Sequence, residues 1–214
     1  MIDIYFCLIK EKLLYNQWEY YFNLLPASEK VRNKKYLRWE DQHSHLFGRL
    51  LLQTALIKHG YTSNILNHLQ FNSYQKPFLN ENIHFNISHS GQYIACAISR
   101  EIKIGFDIEL KLLTIDILDY QEIFSMREWR YLTDNEVKAE LFYKLWTRKE
   151  SIVKANGRGL QIPLNEVDVL NKSATLENKI WFINDLELDA KYSACLATNI
   201  MNYQTTLIQL DFYN

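Results

Sequence analysis

Ile102-Lys103-Ile104-Gly105-Phe106-Asp107-Ile108-Glu109 alternates apolar residues with others at the period of two that marks a β-strand. The same Ile-x-Ile-x-Phe frame stands a hundred residues earlier, in Ile2-Asp3-Ile4-Tyr5-Phe6-Cys7-Leu8-Ile9. Further matches follow in order. A helical pattern ending at Gly60 has a counterpart ending at Gly157, Ile83-His84-Phe85 answers to Ile180-Trp181-Phe182, and the stretch from Tyr93 to Ser99 answers to that from Tyr192 to Thr198. Four matches at offsets of 97 to 100 predict two similar α+β halves, 1–101 and 102–214, with a natural cleft where they meet. Shared strand propensity of Ile, Phe, Ala and Cys is the competing explanation of the echo.

The chain of 214 residues is 48% hydrophobic and 23% charged, the balance of a folded globular protein rather than a disordered or fibrous one. Its 24 basic and 25 acidic residues leave a formal net charge of −1, so no global field demands a nucleic acid or an acidic membrane as partner. Cys7, Cys96 and Cys195 lie far apart, make neither a disulfide framework nor a zinc pattern, and suit a reducing cytoplasm. The N-terminus reads as a strand rather than a signal peptide, because Asp3 breaks its apolar stretch and no basic lead-in precedes it. No apolar run approaches the roughly 18 residues of a membrane span. With only 6 Gly and 3 Pro, each is informative, and Gly91, Gly105, Gly157, Gly159 and Pro77 fall in or beside the segments that carry the chemistry.

Period and punctuation predict helices over 28–38 and 40–59, the second stopped by Gly60, and further helical segments at 115–124, 126–132 and 136–156, with Ser125 as a cap. Strands are expected over 83–88 and 92–99 about a turn at His89-Ser90-Gly91, and near 102–110, 167–170, 179–184, 192–199 and 204–211.

On the strand quoted above, alternation aims Asp107 and Glu109 at one face and Phe106 and Ile108 at the other. Neighbouring carboxylates repel unless a cation lies between them, and oxygen ligands favour a hard ion such as Mg²⁺. Solvated acids on an edge strand are the plainer reading. The first-half echo puts Cys7 and Ile9 at these two positions, so the acidic pair belongs to one copy. Glu150 and Lys154 stand i, i+4 on a helix, with Trp146 on the same stripe, which is also the spacing of an ordinary surface ion pair. That helix runs into Gly157-Arg158-Gly159, where a backbone bare of side chains can approach a ligand. Neither a Rossmann fingerprint nor a Walker A sequence is present, which excludes nucleotide binding by those routes.

Ser88, His89 and Ser90 stand where one strand turns into the next, and hydroxyls with an imidazole suit phosphate oxygens. A Ser88–His89 nucleophile pair is disfavoured, since adjacent residues of an extended chain point to opposite faces. Lys30, Arg32, Lys34, Lys35, Arg38, His43, His45 and Arg49 make the first helices basic. They form either a solvated face or, with Lys76 and His89, a seat for a polyanionic small molecule whose phosphates are bridged by a cation on Asp107, Glu109 and Glu150.

The ordered set Tyr74-Gln-Lys-Pro77, Phe85-Asn-Ile-Ser-His-Ser-Gly91, Ile104-Gly-Phe-Asp-Ile-Glu109 and Leu145-Trp-Thr-Arg-Lys-Glu-Ser-Ile-Val-Lys-Ala-Asn-Gly-Arg-Gly-Leu160 resembles the Sfp-type 4′-phosphopantetheinyl transferases. The likeness spans about residues 26 to 165. It implies an α+β monomer of two similar lobes related by pseudo-twofold symmetry, with coenzyme A and Mg²⁺ in the cleft between them. It also implies transfer of the phosphopantetheine arm of coenzyme A to a serine of an apo acyl or peptidyl carrier protein, releasing adenosine 3′,5′-bisphosphate. By the same resemblance Asp107, Glu109 and Glu150 are Mg²⁺ ligands, Glu150 is also the general base, and Lys154 stabilises charge on the pyrophosphate. Lys76, Ser88 and His89 match coenzyme A contacts, Lys30 a basic residue at the 3′-phosphate, and His45 another phosphate contact.

Three departures stand out. Gln75 occupies a position where the family often has Gly, Phe106 is bulkier than the usual small aliphatic residue, and Asn33 stands in place of a basic contact. By alternation Phe106 should repack a core and leave the carboxylates alone. Carrier recognition is expected over 111–129, where Leu112, Leu113, Ile117 and Phe124 offer either an apolar surface or ordinary core packing. Two other readings use the same residues: a Mg²⁺-dependent pyrophosphate hydrolase acting on coenzyme A or a nucleotide, and a non-catalytic module that binds coenzyme A or a carrier.

Overall fold

The structure, a computed structural model, describes residues 1–213 apart from the side chain of Leu160. The chain runs β1 (Ile2–Leu8), α1 (Tyr15–Asn23), α2 (Ala27–Asn33), α3 (Trp39–Lys58), β2 (Gln70–Phe71), β3 (Pro77–Phe78), β4 (His84–Ser90), β5 (Tyr93–Ser99), β6 (Ile104–Leu110), α4 (Met126–Thr133), α5 (Lys138–Asn156), β7 (Ser173–Leu176), β8 (Lys179–Leu186), β9 (Tyr192–Thr198) and β10 (Thr205–Gln209). One four-stranded sheet has the order β10-β1-β5-β4 and the other β6-β9-β8-β7. Neighbours are antiparallel except β1 and β10, so the last strand of the chain returns to the first sheet. No helix among the described residues is long and apolar enough to cross a membrane.

The fold is α+β, and three apolar clusters hold it. Leu46, Phe47, Leu50 and Leu51 of α3 pack on the first sheet, while Phe142, Leu145, Ile152 and Val153 of α5 pack on the second. The third cluster joins the sheets: Ile2, Ile4, Tyr93, Ala95 and Ala97 from one meet Ile104, Phe106, Ile108, Ala194 and Leu196 from the other. Phe106 is fully buried there, on the side of β6 away from the carboxylates, as alternation requires.

The echo is real in kind but slips by two residues in the β1/β6 pairing. Phe106 lies opposite Leu196 and Ile4 opposite Ala97, so with β5 laid on β9 by the Tyr93/Tyr192 match the partners of Asp107 and Glu109 are Tyr5 and Cys7, not Cys7 and Ile9. A two-residue slip keeps every side chain on its face, which is why a period-two frame cannot reveal it.

Several boundaries move for local reasons. The expected helix over 28–38 stops at Asn33, whose amide turns inward to Gln42 O, while Lys35 N and Tyr36 N make tight bonds to Arg32 O and Asn33 O. The strand expected near 167–170 does not form, because side chains claim its backbone: Glu128 Oε1 accepts from Val169 N, and Lys149 Nζ donates to Leu164 O and Val167 O. β7 lies beyond it. The segment at 115–124 is a 3₁₀ turn over Ile117–Ile123, and His89 and Ser90 extend β4, leaving Gly91 at φ 54° to begin the turn. Helix α1 was not expected. Its aromatic-rich run is held by Trp18, which stacks on Phe22 and packs against His43 of α3.

Helix α5 is fixed at two levels. Ser125 caps α4 in a reciprocal box with Glu128, and the same buried Glu128 carboxylate lies 2.7 Å from Lys149 Nζ, so every polar group of this fully buried pair has a partner. Deeper in, α5 crosses β6 at Gly105. A Cβ there would fall inside the helix backbone at Ser151 O and Ala155 N. Gly105→Ala is therefore expected to cost more than about 3 kcal/mol in urea unfolding, since neither backbone can retreat without leaving its own hydrogen bonds. An unchanged midpoint would show that the helix can lift off the strand.

Candidate active site at the seam between the sheets

The open edge of β6 is satisfied by side chains of β4. Phe106 N donates to Asn86 Oδ1 (2.9 Å), Ile108 N to Ser88 Oγ (3.4 Å) and Leu110 N to Ser90 Oγ (3.0 Å). The spacing of two on both strands turns three side chains into a substitute for a backbone ladder. The two hydroxyls then pass their own protons to the acids: Ser88 Oγ donates to Asp107 Oδ1 (2.8 Å) and Ser90 Oγ to Glu109 Oε2 (2.7 Å).

Helix α5 brings Glu150 and Lys154 to the same place. Lys154 turns its ammonium not to Glu150, one turn back, but to Asp107 Oδ1 (2.5 Å) and Ser88 Oγ (2.9 Å). Asp107 Oδ2 and Glu150 Oε1 are buried with no hydrogen-bond partner. Burial and the Asp107 charge push the Glu109 carboxyl up, against Ser90, Lys154 and Trp146, which hold it down. Burial also raises Glu150, with Lys154 opposing and both Asp107 and Glu109 reinforcing. Three carboxyls, one buried and two half-buried, thus share a corner with one ammonium. Among the described residues no three His, Cys, Asp or Glu groups are drawn closely enough together, as they stand, to hold a metal ion. The orphaned oxygens nevertheless belong to hard, acceptor-only groups, the donor set that Mg²⁺ takes.

Around this corner the groups are basic. His89 is solvent-exposed, yet the surrounding protein, then Lys154 and His45, hold its imidazole below the ordinary range against Asp41 and Asp107. Lys76 donates to Lys154 O (2.5 Å) and Asn72 Nδ2 to Gly157 O (2.9 Å), so the 72–76 loop closes over the last carbonyls of α5. Burial brings Lys76 down to about 8. Gln75 in this loop sits at φ 63°, the left-handed region that favours glycine. A cavity of about 360 Å³, lined by Lys76, Phe78, His84, Phe85, Lys103 and Gly157, opens at the far end of β4 from His89 and does not reach the carboxylates.

Comparison with known proteins now bears on this geometry. A family model described as the 4′-phosphopantetheinyl transferase superfamily matches residues 103–208, and one described as 4′-phosphopantetheinyl transferase, N-terminal, matches residues 13–101. This chain belongs to the 4′-phosphopantetheinyl transferase superfamily. It is 37% identical over 153 residues to the 4′-phosphopantetheinyl transferase gsp of Aneurinibacillus migulanus, a match spanning 67% of this chain and 62% of that protein. A 4′-phosphopantetheinyl transferase of Bacillus subtilis is 35% identical over 68% of this chain and 66% of its own length. The 4′-phosphopantetheinyl transferase Sfp of Bacillus subtilis strain 168 is 29% identical over 78% of this chain and 76% of its own. The first two matches therefore span just under two thirds of those relatives.

Not every residue singled out in this transferase-superfamily chain reaches the seam. Lys30 Nζ bonds Asn23 Oδ1 (3.1 Å) and lies over the Phe22 ring, on the α1 side of α2. Arg32, named with the basic set of the first helices, instead stacks its guanidinium 3.8 Å over Phe71, next to the 72–76 loop. His45 faces inward: Asn33 Nδ2 donates to both Gln42 O and His45 Nδ1, which leaves the proton on Nε2, buried 3.2 Å from Glu29 Oε2. Asn86 was passed over and Ser90 was read only toward phosphate, although the alternation Asn86-x-Ser88-x-Ser90 beside a two-spaced acid pair is a legible signal.

Glu29 anchors this second cluster. Burial alone would raise its carboxyl, but the bond from His45 and the Arg49 guanidinium, 2.5 Å away, hold it down at about 2. A carboxyl depressed on folding stabilises above its unfolded value near 4.5 and loses that contribution as pH falls toward 2. Glu29→Gln should therefore lower stability at pH 7 by about 3 kcal/mol and flatten the decline of the urea midpoint between pH 4.5 and 2. A decline as steep as that of the parent chain would place the acid-sensitive group elsewhere.

Proposed function

We propose that this chain moves the 4′-phosphopantetheine arm of coenzyme A onto a serine hydroxyl of an apo acyl or peptidyl carrier protein and releases adenosine 3′,5′-bisphosphate. The observation that carries the reading is the cluster of Asp107, Glu109, Glu150 and Lys154 at the seam, with two buried acceptor oxygens left open, in a chain of this superfamily. The halves 1–101 and 102–214 act as two lobes about that seam, except that β10 of the second crosses back to the first sheet. Because both lie in one chain, a monomer suffices, and three buried, unpaired cysteines suit the cytoplasm.

Asp107, Glu109 and Glu150 would hold Mg²⁺, which when bound supplies positive charge to the pyrophosphate oxygens. The carrier serine oxygen attacks the phosphorus that bears the pantetheine arm, and the bond to the bridging oxygen of the bisphosphate breaks. Glu150 receives the serine proton, directly or through a water, a task for which a carboxyl raised by burial is better suited than a solvated one. Lys154 donates to the oxygen on which charge develops as that bond breaks. His89 and Lys76 contact the phosphates of coenzyme A, while Lys30 with Arg32 supplies positive charge for the 3′-phosphate. Ser88 and His45, whose polar atoms are taken up inside the protein, support these contacts.

For the carrier, Leu112 and Leu113 are 55% and 76% exposed, and Leu118 and Met126 are exposed further along the same segment, whereas Ile117 and Phe124 are core residues. The first four residues form the apolar docking surface.

Incubating an apo carrier protein with the chain, coenzyme A and Mg²⁺ should give a phosphopantetheine adduct by intact mass. Asp107→Ala and Glu150→Ala should abolish it with the fold retained, and His89→Ala should weaken coenzyme A binding more than it slows the bound complex. No adduct with several unrelated carriers would sink the proposal, and coenzyme A breakdown without a carrier would turn it into hydrolysis.

A further inference from the structure

We infer that Ser90 is the positioning residue for Glu109, holding one carboxylate oxygen so that the other stays presented to a divalent cation. The inference rests on the reading of Asp107, Glu109 and Glu150 as cation ligands.

Glu109 is half-buried, one residue from the end of β6, and makes no salt bridge among the described residues. Asp107 differs: it is buried and gripped by both Ser88 and Lys154. A glutamate on a strand end has three side-chain torsions to settle; Trp146 also bears on this carboxyl, and Ser90 ties one of its oxygens to the strand. Its hydroxyl donates to Glu109 Oε2 at 2.7 Å and accepts from Leu110 N at 3.0 Å. A rotor fixed at both ends ties the carboxylate of Glu109 to the backbone amide of the very next residue. The carboxylate plane is then set by its own strand rather than by solvent. Ser90 also stands clear of the ammonium that Ser88 shares with Asp107, so changing it leaves the Lys154 contacts in place.

The test is an electron paramagnetic resonance titration of Mn²⁺ into the full chain with coenzyme A present. Ser90→Ala should bind Mn²⁺ about tenfold more weakly, keep its coenzyme A dissociation constant in EDTA, and unfold cooperatively in urea. Ser90→Thr, which keeps the hydroxyl, should restore Mn²⁺ affinity. Ser90→Ala binding Mn²⁺ as tightly as the parent chain overturns the inference. So does a loss of affinity that comes only with a lost cooperative transition, which would make Ser90 a residue of the fold. A parent chain that holds Mn²⁺ no better than its Asp107→Asn variant removes the cation site itself, and this failure is distinguishable because it appears before Ser90 is touched.

Discussion

Two backbones touch at Gly105, and the site depends on that contact. Helix α5 carries Glu150 and Lys154, strand β6 carries Asp107 and Glu109, and only a residue without Cβ lets the helix come near enough for Lys154 to reach Asp107. A helix set back by even one methyl group would leave the ammonium short of its carboxylate and open the corner to water. The buried Lys149–Glu128 pair clamps the same helix from its other side through Leu164 O, Val167 O and the cap of α4. It does not hold substrate. Its value is that a buried charge with all its bonds satisfied has a single tolerable position, which removes sliding of α5 along the strand.

The second constraint is the seam. Strands β4 and β6 belong to different sheets, yet the amides of β6 that face β4 do not go unpaired, because Asn86, Ser88 and Ser90 accept from them at every second residue. Side chains have a property here that a backbone ladder lacks: a hydroxyl that accepts from an amide still has a proton to give. Ser88 and Ser90 give theirs to Asp107 and Glu109. The bonds that join the two halves are therefore the bonds that orient the acids. In the pseudo-equivalent strand the same positions are Tyr5 and Cys7, both buried beside β10, so the repeat supplies a scaffold twice and the acids once.

Much of this was legible in the sequence because it rests on periodicity and on residue types that chemistry constrains. Alternation on β6 placed the acids on one face and Phe106 on the other, and the glycine at the end of α5 was readable as a stop, realised as Gly157 at φ 90°. The departure at Gln75 was visible too, and its positive φ gives the reason a glycine would sit there more easily. What escaped was whatever depended on a partner distant in the chain. The two-residue slip between β1 and β6 is invisible to a period-two pattern. The engagement of His45 by Asn33 and Glu29 is a tertiary fact that no local count of basic residues contains. Val167 to Leu170 had the composition of a strand, but Lys149 and Glu128 took its backbone groups first.

Charge arithmetic ties the seam to its proposed chemistry. Asp107, Glu109 and Glu150 face one ammonium, Lys154, so if all three acids were ionised the corner would carry two uncompensated negative charges. Charge of that size is costly where the acids are partly or wholly withdrawn from water. In the chain alone, burial and the neighbouring acids push the Glu109 and Glu150 carboxyls up, toward the neutral form. The proposed divalent cation would offset that charge directly and so favour the ionised form of Glu150. Two uncompensated negative charges would match the charge of one Mg²⁺. The orphaned Asp107 Oδ2 and Glu150 Oε1 then become the cost that the folded chain carries in order to keep that place open.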